Sequence, residues 1–163
     1  MRLSSKLWLP LSAFLYACSC SYNPNSYSCF SDIDPIEGWK YGRTFVYLPE
    51  IADSMAQGEL ALLVRHTNDY PYSNLWLELE TQQPADSGHV KIIRDSICIT
   101  LADVYGKWYG RGQGTTFEKI DTLYVDYTLA NNAPLRLRHI MRPERITGIE
   151  KVGLIFTAND HEQ

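Results

Sequence analysis

Basic residues are in short supply. The 163 residues include 15 Lys+Arg against 19 Asp+Glu, a formal net charge of −4. Contact with nucleic-acid phosphates needs a basic surplus, so general nucleic-acid binding is excluded as a leading role. Cysteine is scarce, at four residues with no Cys-x-x-Cys pair, and His66, His89, His139 and His161 are scattered. That leaves no zinc pattern. Outside the N-terminus no stretch carries apolar residues at helical spacing, and no internal repeat is present. Long apolar runs are missing too. Leu7 to Ala17 is free of charge but falls short of the about 20 residues a membrane-crossing helix needs, and Pro10 interrupts it. Hydrophobic residues nevertheless make up 45% of the chain, which excludes a wholly disordered protein.

What is present begins with a targeting segment. Arg2 and Lys6 precede the apolar run Leu7 to Ala17, as in a secretory signal peptide. The run ends Leu15-Tyr16-Ala17-Cys18, which reads as a lipoprotein cleavage box. A small residue before the cut fits the peptidase, and the new N-terminal thiol carries a diacylglycerol thioether. Cys20 offers a second reading of the box, and cleavage before an unmodified cysteine is the plainer alternative. Two or three acyl chains, at about 0.8 kcal/mol per buried CH₂, anchor a protein stably in a bilayer. The expected organisation is a signal peptide over 1–17, a lipidated N-terminus and flexible tether over 18–37, and one domain over 38–163. The tether assignment rests on the Ser, Asn and Pro content of residues 19–37. Cys29 and Cys98 either form one bridge in an oxidising compartment or leave Cys98 as a small buried side chain.

From Trp39 onward the pattern has period two. Leu60, Leu62 and Val64 share a face, as do Leu75, Leu77 and Leu79, then Leu123, Val125 and Tyr127, then Leu135, Leu137 and His139, then Val152, Leu154 and Phe156. Val90 to Leu101 reads as a strand with a break or bulge at Arg94-Asp95. Thr44 to Leu48 is a shorter one stopped by Pro49, and residues 50–57 suit one short helical turn. Gln83 to Gly88 and Asn131 to Pro134 are turns. Seven or eight such strands predict an all-β, antiparallel sandwich, with a closed barrel as the alternative.

Chemistry is sparse. Gly110-x-Gly112-x-Gly114 lacks the Lys-Ser/Thr and the following helix of a phosphate loop. His66, Asp69 and Ser73 crowd one loop without a nucleophile elbow, and Asp69 is expected to fix that loop through backbone hydrogen bonds. Asp95, Asp103, Glu118 and Asp121 show no acid/base spacing. Arg136, Arg138, Arg142 and Arg145 form a basic stretch, read as a solvated face that discourages edge pairing or as a docking face for an acidic partner or lipid head group. No catalytic residue, metal ligand or cofactor is expected. The candidate partner-binding residues are Lys107, Trp108, Tyr109 and Arg111, because aromatics beside cations on a glycine-rich loop make binding hot spots. The competing reading makes Trp108 a plug that caps the core.

Taken in order, several segments carry a resemblance. They are Cys18 after its lipobox, Gly38-Trp39, Asn68-Asp69-Tyr70-Pro71-Tyr72-Ser73-Asn74-Leu75, Ala102-Asp103, Gly106-Lys107-Trp108-Tyr109-Gly110-Arg111-Gly112, His139-Ile140-Met141-Arg142 and Ile146 to Gly153. Together they resemble the gliding motility lipoprotein GldH family of Bacteroidota. The resemblance implies a non-catalytic accessory or assembly lipoprotein of the cell envelope, linked to gliding and type IX secretion machinery. It implies a lipid bilayer and envelope proteins as partners. The expected location is a bacterial membrane, specifically the outer membrane facing the periplasm. A carbohydrate-binding sandwich is the second reading, since Trp and Tyr stack on sugars.

Overall fold

The computed structural model describes residues 23–84 and 90–159. The signal peptide 1–17, Cys18, Cys20 and residues 85–88 of the turn lie outside the described residues. Eleven strands form, and no helix occurs among the described residues. One sheet has five strands in the order β1 (Tyr27–Asp32), β11 (Ile149–Ala158), β4 (Met55–Thr67), β8 (Thr116–Ala130) and β7 (Arg111–Gln113). The other has four, in the order β3 (Phe45–Tyr47), β9 (Leu135–His139), β5 (Asn74–Pro84) and β6 (Val90–Thr100). A small pair, β2 (Trp39–Lys40) with β10 (Arg145–Ile146), lies outside both. All pairings are antiparallel.

Four of the five period-two faces meet between the sheets; the one expected from Leu123, Val125 and Tyr127 does not hold, because the register shifts opposite Gly58 to Ala61 leave Val125 77% exposed while Tyr127 is buried. Leu60, Leu62 and Val64 of β4 and Val152, Leu154 and Phe156 of β11 are buried with Leu75, Leu77 and Leu79 of β5 and Leu135 and Leu137 of β9. Each such side chain contributes about 1.5–3 kcal/mol over an exposed one. Tyr47 Oη donates to the Val152 carbonyl at 3.3 Å, and burial raises its pKa to about 12, which keeps it neutral and a donor. This is the expected all-β antiparallel sandwich.

Local expectations fare differently. Tyr27–Asp32, inside the stretch read as tether, is strand β1, paired along its full length with β11, so the sandwich begins before residue 38. Its Ser-rich sequence hides it, because an edge strand needs only one packed face. Arg94-Asp95 makes no break: β6 pairs with β5 without a register shift from Asn74↔Thr100 to Pro84↔Val90. The irregularities fall instead between β4 and β8, at Gly58 to Ala61, and at Ile149–Lys151. Residues 52–54 bend and β4 starts at Met55, so the helical turn over 50–57 does not form. Cys29 and Cys98 are free; Cys98 is exposed on the outer face, neither bridged nor buried.

Strand directions sort the connections onto two ends. Residues 23–26 enter beside the β3–β4 and β8–β9 connections. Ala52 N donates to the Pro24 carbonyl, Asn131 N to Ser54 and Asn132 N to Pro49, which ties this proximal end together. The β4–β5, β6–β7 and β10–β11 connections lie at the opposite, distal end. Thr67 N donates to Gly148 O, and Leu101 N and Ala102 N donate to Ser73 O.

Candidate functional site

Apart from Cys18, which lies outside the described residues, segments behind the resemblance that are far apart in the chain meet at the distal end. Gly148 has φ +82°, and a Cβ there would stand 2.5 Å from Tyr70 N. Only glycine lets these two loops touch. Gly38 plays the same part against the Ile146 carbonyl. Trp39 is fully buried and meets His139 edge-on at 5.3 Å. Tyr70 is buried and donates through Oη to Asn74 O at 2.8 Å; burial pushes its pKa well up, so it stays neutral. The loop holding Asp69 is fixed by Tyr70 and Gly148. Asp69 itself donates its backbone N–H to Thr67 Oγ1, so the expected carboxylate role does not appear.

Two buried histidines sit in aromatic boxes here. His66 lies 4.5 Å from Trp108, 5.8 Å from Phe117 and 6.0 Å from Tyr70, ring to ring. His139 lies between Trp39 and Tyr41. Burial holds both below the ordinary histidine pKa, so both are neutral near pH 7. His66 Nδ1 is 3.1 Å from its neighbour's carbonyl, Thr67 O, and its buried Nε2 has no hydrogen-bond partner, so the ring bonds neither Asp69 nor Ser73 as a triad would need.

Of the four candidate binding residues, Trp108 is half-buried and packs against the core beneath the loop, while Lys107, Tyr109 and Arg111 are exposed. Lys119 Nζ lies 5.6 Å above the Tyr109 ring. The glycines have a structural cause. A Cβ on Gly110 would stand 2.2 Å from Glu118 O, and one on Gly112 2.6 Å from the Phe117 ring, so they let β7 lie on β8.

The most exposed apolar residues of this end were missed in the sequence. Asp103 Oδ1 accepts the backbone N–H of Tyr105 at 2.8 Å and of Lys107 at 2.9 Å, and Gly106 N donates to Asp103 O. This self-bonded loop holds Val104 and Tyr105 outward, 92% and 93% exposed. The same device recurs at Asp34, whose Oδ1 accepts from Ile36 N and Glu37 N while Gly38 N donates to Asp34 O. Ile36 stands 86% exposed there. The two backbone N–H groups hold the Asp34 carboxyl below the usual carboxylate range. The signal was available: Asp followed three or four residues later by Gly, with large apolar residues between, is turn chemistry that forces those residues outward.

The other charges are occupied one by one. Asp95 accepts from Tyr124 Oη across the sheet edges, Asp121 pairs with Lys119, and Glu118 with Arg65 at 2.6 Å. Asp103 closes its own turn, so the four candidate carboxylates do not meet. Arg136 and Arg138 pair with Glu80 and Glu78 at 2.9 and 2.8 Å, and Arg94 shares Glu80. Half of the basic stretch is thus neutralised on the outer face of the four-stranded sheet. Arg142 and Arg145 are exposed at the distal end.

No curated protein matches the chain. A family model does: the one described as GldH lipoprotein matches residues 26–155, from the residue before β1 into the last strand. That span takes in every interlocked distal segment, and it shows that the chain belongs to the GldH lipoprotein family.

Proposed function

We propose that this lipoprotein is a non-catalytic accessory component of a cell-envelope machinery. Acylated Cys18 anchors it in the outer membrane facing the periplasm, and the distal loops dock a protein partner. The observation that carries the reading is the pair of aspartate-closed loops holding Ile36, Val104 and Tyr105 in water. A rigid backbone that keeps large apolar side chains exposed gives nothing to its own fold. It lowers the ordering entropy lost when a partner covers them. Lys107, Tyr109 and Arg111 supply the rim, and Trp108 fixes the loop from below against His66.

The test is co-purification of the membrane-anchored protein after crosslinking. In the double variant Val104→Ser, Tyr105→Ser, capture of envelope proteins falls at least thirtyfold, the equivalent of about 2 kcal/mol for hot-spot side chains. The melting temperature stays unchanged. Undiminished capture contradicts the docking reading. Glycan binding by the unaltered protein, without any protein partner, favours the carbohydrate reading instead.

A further inference from the structure

The proximal end carries its own exposed apolar set. Leu48 follows β3, Met55 opens β4, and Val90 and Ile92 open β6; they are 56%, 50%, 60% and 53% exposed. On the outer face of the four-stranded sheet, Val46, Arg136, Glu80 and Arg94 form one row in register. Two residues further toward the proximal end, the same register brings Leu48 and Ile92 to the margins of the next row, with Gln82 opposite Ile92. Met55 stands opposite Ala130 in the other sheet. The apolar set therefore rims the end of the sandwich on both layers.

The chain enters at this same end, and it enters tied down. Asn25 Nδ2 donates to Asp53 Oδ2 at 2.7 Å, Asp53 N donates back to Asn25 Oδ1 at 2.9 Å, and Ala52 N donates to Pro24 O. Ala158 N donates to Ser26 Oγ. Cys18 precedes Asn23 by five residues, about 18 Å of fully extended chain. A lipid on Cys18 thus holds the rim within reach of the head groups, with no long tether between.

We infer that the rim of Leu48, Met55, Val90 and Ile92 is a membrane-contact surface. It rests on the bilayer that holds the chain's own acyl anchor, and so depends on lipidation at Cys18. Its apolar side chains carry the contact, because the charges beside it, Glu50, Asp53 and Lys91, hold no basic surplus to attract anionic head groups. Binding is therefore insensitive to salt and needs no anionic lipid. The rim fixes the sandwich upright, with the distal loops turned away from the membrane.

Tryptophan quenching tests this in the mature, full-length lipidated protein on zwitterionic phosphatidylcholine vesicles containing brominated lipid. The native Trp39, Trp76 and Trp108 belong to the distal half, so background quenching is low. The expected result is co-flotation of every variant, loss of the added fluorescence in Leu48→Trp and Met55→Trp, and none in Val104→Trp. Flotation without quenching at 48 and 55, or with equal quenching at 104, overturns the rim while leaving the anchor standing. Copy-to-copy crosslinks through residue 48 with no quenching also overturn it, in favour of a second copy on the rim. Failure to float, with no acyl mass on the protein, overturns the anchor and the rim together.

Discussion

The two ends of the sandwich expose similar apolar side chains on different supports. At the distal end Ile36, Val104 and Tyr105 ride on loops closed by their own aspartates, above a layer of buried aromatics and two neutral histidines. At the proximal end Leu48, Met55, Val90 and Ile92 stand at strand ends and connections, Met55 two residues from the Asp53 that fixes the chain's entry and Val90 and Ile92 on the opposite edge strand. A protein partner demands preformed shape, whereas a fluid bilayer accepts any apolar rim at the right height. β4, thirteen residues long, sets the two ends roughly 40 Å apart at about 3.3 Å per residue. Exposure alone does not define a site; what holds the exposed residue in place does.

The distal support gives way most readily at Gly148. Gly148→Ala combines a positive φ with a backbone collision against Tyr70. It should cost about 2–4 kcal/mol in denaturant unfolding, since neither strain nor overpacking can relax into backbone. A comparable loss from a Gly42→Ala control, where φ is +84° but no atom lies within 4 Å, would show that strain alone acts and that the loop contact does not matter.

Trp108→Ala should cost about 2–3 kcal/mol, below the range for a fully buried tryptophan because the ring is only half-buried. The His66 box opens at the same time. An unchanged melting temperature would mean the ring is a docking anchor and not the loop's base.

Acid should weaken the distal end first. His66 and His139 are buried and neutral, with folded pKa values below the ordinary 6.5. As pH falls through 6.5 the unfolded chain takes up protons before the folded one does. The stability they permit is therefore complete above about pH 6.5 and is lost progressively below it. Hydrogen exchange should show the loops around Trp39 and Trp108 opening at pH 5.5 before the strands near Asn25 do. Simultaneous opening of both ends would remove the contrast.

The smallest effect is expected at the outer-face ion pairs. Glu80→Gln removes the partner of Arg94 and Arg136, both more than a third exposed, and should change stability by no more than about 1 kcal/mol. The Glu80 carboxyl is held below its usual range, first by its hydrogen bond from Arg94. Its small contribution is thus present above the normal glutamate pKa of about 4.5 and fades as pH drops below it.

The core was legible because burial imposes alternation. Leu75, Leu77 and Leu79 had to face inward together, and they are fully buried. Tyr27–Asp32 was not legible, because a Ser-rich edge strand gets its pairing from β11 and not from its own pattern. Trp108 and its neighbours stood out by composition, yet Val104 and Tyr105 reach further into solvent, since only the Asp103 turn turns them outward. Arg136 and Arg138 looked like a free basic face because their partners Glu80 and Glu78 lie over fifty residues away in sequence.

Site-specific photo-crosslinking in the living envelope, from a reactive side chain at position 104 and separately at position 48, tests the division between the ends most directly. Discrete protein adducts are expected from 104 and lipid adducts from 48. Lipid adducts from 104 with protein adducts from 48 would contradict that division.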